Sequence, residues 1–307
     1  MTAPRSMLAR RRVMAALLLA LLAATAGCSA LSGAESPRST STPTASPTPV
    51  ETPTDTATPD ATPTPAKTPT PTARRTPTTG TPTATQTPYP PGYGAGGVTD
   101  PRRAMDAHAT TLVATDGFVM RINGTLLNDS DAVVRTVSGL VMEVPTREVY
   151  SETQVVEQGV VARYYNDSTV YERLRDPDGD DRYRSREADY ELSQFVARGV
   201  VLPALSNVTW GAAEEVTRKE GTRYRYRATD FENPALLLGG TVQRADVDGF
   251  EGMLLVDRDG AIRRLRYAAT VTVDGERHQL VLDVDVSSVE GETRVNPPGW
   301  KDRAAES

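Results

Sequence analysis

The sequence predicts a mainly β fold of the α+β kind: a curved antiparallel half-barrel sheet with plugging helices, preceded by a disordered stalk. Three observations predict it. Apolar and polar residues alternate in successive segments from Phe118 to Val289, the period of half-buried strands. Asp-Gly turns join the last of these segments, and no regular strand-helix-strand alternation appears, so a parallel sheet is not expected. Finally, 16 of the 23 prolines fall between residues 37 and 101, where threonine is the commonest other residue.

Residues 1–27 read as a signal peptide. Arg5, Arg10, Arg11 and Arg12 precede residues 13–24, an almost pure run of Val, Met, Ala and Leu. That run is too short to cross a hydrocarbon core of ~30 Å as a helix. Thr25, Ala26 and Gly27 follow, then Cys28, the one cysteine of the 307 residues. Charged, apolar and small-residue regions in that order are the layout of a secretory leader. A cysteine directly after them resembles a lipobox, with Thr25 where a leucine is usual, and predicts lipid attachment at Cys28. Arg11-Arg12 also resembles a twin-arginine export signal, without its usual downstream residues, so the export route stays open. The expected location is outside the cell, anchored to the outer face of its membrane.

Residues 28–99 read as a disordered linker. Proline lacks an amide hydrogen and threonine brings little apolar area, so this stretch cannot offset its ordering entropy. As polyproline II it would reach at most ~200 Å. Thr, Ser and Pro together also suit an O-glycosylated stalk.

Charge narrows the partners. The net charge is −6, and 30 basic against 40 acidic side chains remain once residues 1–27 are removed. Lysine is nearly absent (Lys67, Lys219, Lys301), with 31 arginines beside it. An acidic, Lys-poor, Arg-rich chain resembles secreted proteins of extreme halophiles. It does not suit nucleic acid, which needs a basic face.

Residues 100–301 read as one β-rich domain, and residues 302–307 as a tail. Asp100-Pro101 predicts a helix start, with Met105, Ala109 and Leu112 on one stripe. Phe118, Met120 and Ile122 alternate in the first strand. VVRTVSGLVMEV, REVYSETQVVE, GVVARYY and TVYERLR follow, the last two joined by Asn166-Asp167-Ser168. A helix is expected over residues 189–201, ending near Pro203, with Leu192, Phe195 and Val196 inward. TRYRYRATDF alternates again, and a short helix is expected at 232–238. A three-stranded meander closes the domain. Leu265, Tyr267, Ala269, Val271 and Val273 share one face of its middle strand; Leu280, Leu282, Val284 and Val286 share a face of the last.

These segments, with a His-Ala pair in the first helix, a DRDG turn and a closing Pro297, Pro298 and Trp300, resemble an uncharacterised family of haloarchaeal lipoproteins. The strand plan is similar to LolA/LppX-type lipoprotein carriers. That resemblance implies a half-barrel that holds acyl chains between sheet and plug.

Few residues suggest other chemistry. Cys28 lies outside the domain, and His108 and His278 are far apart, so no Cys/His nucleophile pair or His-rich metal site is expected. Neither enzymatic activity nor a cofactor is expected. Asp176, Asp178, Asp180 and Glu187 match four positions of a calcium loop, but the obligatory glycine is Asp181, leaving a weak metal candidate. Arg223, Arg225 and Arg227 alternate with Tyr224 and Tyr226; either a basic-aromatic strip or a half-buried strand with tyrosines inward accounts for them. Asn123, Asn128, Asn166 and Asn207 are N-glycosylation sequons, with Asn128 and Asn166 expected in turns.

The functional expectation is a lipid-anchored surface protein whose domain binds a hydrophobic or lipid-like ligand. Phe195, Leu205, Trp210, Leu236, Leu237, Leu238, Leu265, Tyr267, Leu280, Leu282 and Val284 are expected to border the ligand space. The alternative is a non-catalytic structural or interaction module of the cell envelope, held off the membrane by the stalk and meeting another envelope protein.

Overall fold

A computed structural model describes residues 89–128, 131–219, 221–238, 242–243, 246–273, 275–288 and 293–307. The expected leader, Cys28 and nearly all of the expected linker lie outside the described residues.

Packing starts earlier than residue 100. Two short strands, β1 (Tyr93–Gly94) and β2 (Gly97–Val98), pair with each other. The rings of Tyr89 and Tyr93 lie 5.3 and 5.5 Å from those of Tyr224 and Tyr226. Gly92, at φ +85°, lets the chain turn into the first helix; a Cβ there would come 2.3 Å from the Ala104 nitrogen. Helix α1 (Pro101–Val113) begins as expected. The Asp100 carboxylate accepts from the Arg102 and Arg103 amides, and Pro101 sits where no amide hydrogen is needed. Its stripe of Ala104, Met105, His108, Ala109 and Leu112 is buried.

Six strands follow: β3 (Gly117–Asn128), β4 (Asp131–Glu143), β5 (Glu148–Val155), β6 (Gly159–Asn166), β7 (Thr169–Arg175) and β8 (Asp181–Glu187). The helix expected over 189–201 is two pieces. A 3-10 turn, Leu192–Phe195, is separated from α2 (Arg198–Asn207) by Ala197, which adopts the left-handed conformation at φ 54°. Pro203 lies inside α2 rather than ending it.

Then come β9 (Val208–Trp210), β10 (Glu214–Arg218), β11 (Gly221–Phe231), α3 (Pro234–Leu238), β12 (Val247–Asp257), β13 (Ile262–Val273), β14 (Glu276–Ser288) and α4 (Lys301–Ala305). The strands from β3 onward form one open antiparallel sheet in the order β10-β11-β12-β13-β14-β3-β4-β5-β6-β7-β8, with β9 also on β11. The sheet does not close into a barrel. Its two edges are β8 and β10, and β14 pairs with β3 from His278↔Asn128 to Ser288↔Phe118.

The inner face packs against α1, the 3-10 turn, α2 and α3. Leu265, Tyr267, Ala269, Val271, Leu280, Leu282, Val284 and Val286 all face this core, as their alternation predicts. A second, smaller cluster lies on the outer face: Trp300 and Ala304 pack with Ala162, Tyr164 and Val295. Lys301 lies over the rings of Tyr164 and Tyr171. The expected tail is thus partly structural, since Ala304 is fully buried. Among the described residues, no helix is long and apolar enough to cross a membrane.

Candidate functional site

The residues expected to border an internal ligand space are packed together. Phe195, Leu205, Trp210, Leu237, Leu238, Leu265, Tyr267, Leu280, Leu282 and Val284 are all buried in one cluster. The Tyr267 hydroxyl donates to the Leu237 carbonyl at 2.7 Å, and the Trp210 indole donates to the Ala204 carbonyl at 3.3 Å. These bonds satisfy the polar ends of two large rings within the plug. Leu236 points elsewhere, with 54 % of its surface exposed.

An opening exists beside this plug, where the sheet divides. Strands β11 and β12 pair from Arg223↔Asp257 to Arg227↔Met253 and then separate. Beyond that point β11 continues alongside β9, through Ala228↔Trp210 to Phe231↔Val208. The start of β12 continues alongside β13, from Val247↔Val271 to Gly252↔Tyr267. The divide holds a cleft of about 430 Å³ lined by Arg227, Ala228, Phe250, Glu251, Gly252, Met253, Arg266 and Ala268. A groove of about 210 Å³ extends from it along Phe231 and Val247.

Each wall has a sequence cause. Phe250 tilts inward, its ring 4.7 Å from Phe231 and 6.0 Å from Tyr267, so aromatic rings form the floor. Gly252 lets β12 pack closely on its neighbours at the cleft wall: a Cβ there would lie 2.9 Å from the Ala228 Cβ and 3.6 Å from Cη2 of Trp210. Arg227, Met253 and Arg266 occupy one cross-strand row at the outer mouth. The apolar side chains of Ala228, Phe250, Met253 and Ala268, beside two guanidinium groups and the Glu251 carboxylate, suit an amphipathic ligand. Of the two readings the sequence allows for Arg223, Arg225 and Arg227, the structure has the half-buried strand, with Tyr224 and Tyr226 buried and the arginines on the other face.

A second polar feature lies at the far end of the inner face. One register row runs Val286, Met120, Leu140, Ser151, Arg163, Glu172, Arg184, and the next runs Val284, Ile122, Ser138, Thr153, Val161, Leu174, Arg182. Both pass from apolar at the centre to charged at the β8 edge. Glu172 is 1 % exposed and bridges Arg163, Arg184 and Arg186 at 3.3, 3.0 and 3.5 Å. Burial alone would raise its carboxyl; the Arg184 hydrogen bond and the Arg163 charge outweigh burial and hold it below the usual range. The alternation RYRSR at 182–186 is the sequence signal for this face.

The remaining candidates separate. Asp176 and Asp180 sit in the β7–β8 turn, where the Asp176 carboxylate accepts from the Asp180 amide. Glu187 stands at the other end of β8, ~20 Å away by strand rise, so the four carboxylates do not form a calcium loop. No group of His, Cys, Asp and Glu among the described residues could hold a metal ion. Asn123 lies within β3 and Asn128 at its end. Asn166 donates to Glu148 and to the Tyr164 hydroxyl, and Asn207 donates to the Pro203 carbonyl. His278 is buried at the start of β14. His108 is fully buried in α1, where its Nδ1 accepts from the Ile262 amide at 3.0 Å. Burial, reinforced by the Arg263 charge, lowers it from 6.5 to about 4, so it is a neutral structural group.

Residues 69–304 match the family described as "Family of unknown function (DUF7537)", a match that begins within the expected linker. No curated protein matches the chain. Among solved structures, it is similar to a DUF1329 family protein from Desulfovibrio piger at 8 % identity, covering 61 % of this chain and 91 % of that one, with a TM-score of 0.23. It is also similar to LolA superfamily protein NE2245 from Nitrosomonas europaea at 11 % identity, covering 65 % and 96 %, again with a TM-score of 0.23. The MucA/MucB complex structure from Pseudomonas aeruginosa follows at 8 % identity, covering 66 % and 96 %, with a TM-score of 0.12.

Proposed function

Because the chain belongs to the DUF7537 family, whose function is unknown, we propose from its own residues that it is a non-catalytic binding protein. It is exported, anchored by lipid at Cys28 and raised on its Thr/Pro-rich stalk, and Asn128 and Asn166 of its folded domain are the sequons best placed for a glycan. Its β-rich domain takes a hydrophobic or lipid-like ligand. The ligand lies in the cleft between β11 and β12, not between the sheet and the plug, because the plug residues already fill that space.

One observation carries this reading: the sheet parts between β11 and β12 beside the ring of Phe250, which Phe231 and Tyr267 back from the core. Half-buried Phe250 and Met253 leave apolar surface next to a space that a chain of methylenes can fill.

Trp210 makes the test direct, since its ring edge borders the Gly252 position. A brominated 12-carbon alcohol added to the full-length chain should quench Trp210 saturably. Gly252→Val should abolish the quenching by displacing Ala228 and the Trp210 ring at the cleft wall. Absence of saturable quenching in the wild type would overturn the reading and leave the stalked structural or interaction module in its place.

A further inference from the structure

The two arginines of the cleft differ from their neighbours. Arg223, Arg225, Arg263 and Arg264, on the same stretch of sheet, each engage a carboxylate: Asp257, Glu214, Asp257 and Asp283 respectively. The guanidinium groups of Arg227 and Arg266 make no hydrogen bond or close ion pair among the described residues, though the Arg227 charge acts on Glu214 from a distance. Arg266 stands opposite Asp283 in register, but Arg264 takes both oxygens of Asp283, at 3.1 and 2.6 Å. Glu214 is likewise held by two nitrogens of Arg225 rather than by Arg227. These guanidinium groups flank Met253 and face the cleft of about 430 Å³ described above.

We infer that the ligand of this cleft is a single-chain amphiphile with an anionic head. The inference rests on the proposed reading of the cleft and names its ligand class. The chain runs past Met253 and Ala268 to Phe250, and the head sits between Arg227 and Arg266. Guanidinium groups bind carboxylate or phosphate oxygens through paired N–H donors. Glu251, one residue beyond Gly252 on the same rim, repels a head placed farther along and so confines it to the arginine end. The volume lies at the low end for a ligand pocket, which favours one chain over two.

The experiment titrates the full-length chain with three brominated 12-carbon compounds, a carboxylate, a phosphate monoester and an alcohol, and reads Trp210 quenching. Both anions should bind about tenfold more tightly than the alcohol. Arg227→Gln combined with Arg266→Gln should bring all three within about twofold of one another. The tighter of the two anions separates a fatty acid from a lysophospholipid-like source. Equal binding of the three compounds by the wild type would overturn the anionic head while leaving the cleft reading intact. No quenching by any of them would instead sink the cleft reading itself. Inorganic phosphate binding as tightly as the phosphate amphiphile would make this a small-anion site and overturn the inference.

Discussion

Replacing His108 with glutamine should remove a pH dependence built into the core. His108 is held neutral because its ring is buried and its Nδ1 accepts the Ile262 amide hydrogen. The unfolded chain takes up a proton on this ring below its ordinary value of 6.5, whereas the folded chain resists it until about 4. The stability from this difference is fully present above about 6.5 and is lost as pH falls toward 4. At about 1.4 kcal/mol per pH unit, that interval amounts to about 3 kcal/mol, most of it gone by about pH 4.5. Glutamine keeps an acceptor for the Ile262 amide but does not titrate. Urea unfolding of both proteins, followed by circular dichroism at several pH values between about 7.5 and 4.5, isolates the effect. Contributions from all other carboxylates cancel in the difference between the two stability curves. That difference should shrink with acidification as the wild type loses its advantage. Parallel curves across the whole range would refute the reasoning, because they would place the ring in contact with water in the folded state.

Glu172→Gln should cost about 1–3 kcal/mol near neutral pH, since it leaves half-buried Arg163 without its carboxylate. Because that carboxyl is depressed, the loss should fade as pH falls through its folded-state value, which chemical denaturation at several pH values would show. Trp300→Ala should cost about 3 kcal/mol by emptying the outer-face cluster, and trypsin should then release the C-terminal segment faster. Leu282→Trp should overpack the plug and lower stability by about 1–3 kcal/mol; an unchanged melting temperature would reveal a space that the packing does not show. Cys28→Ser should move the processed chain from the membrane fraction to the medium, and continued retention of a cleaved chain would count against the lipid anchor.

Much of the sheet is legible in the sequence because its last strands alternate cleanly. Leu265 to Val271 and Leu280 to Val286 each place every second residue in the core, and register follows from that pattern. The start of α1 was equally plain from Asp100-Pro101. The cleft was not. It depends on β11 exchanging β12 for a course with β9 alone after Arg227, and a single strand's pattern does not say which neighbour it keeps. Gly252 reads as an ordinary strand glycine until Ala228 and Trp210 are seen beside it. Tyr89 and Tyr93 were hidden by prolines that made their surroundings look like linker. The left-handed Ala197 broke a helix that periodicity alone would have kept whole.

The seam between β14 and β3 has a consequence for how the chain is made. It joins Leu282 to Gly124 at the middle of the sheet, so the last long strand synthesised must find one of the first. Until β14 emerges, a growing chain holds the β3–β8 half with the inner edge of β3 unpaired, an edge any other strand could join. Such sequence-distant pairing is slow and leaves partly formed sheets open to aggregation. The protein therefore cannot finish folding domain-first as it leaves the ribosome. The sheet is complete only once β14 has been made and has found β3.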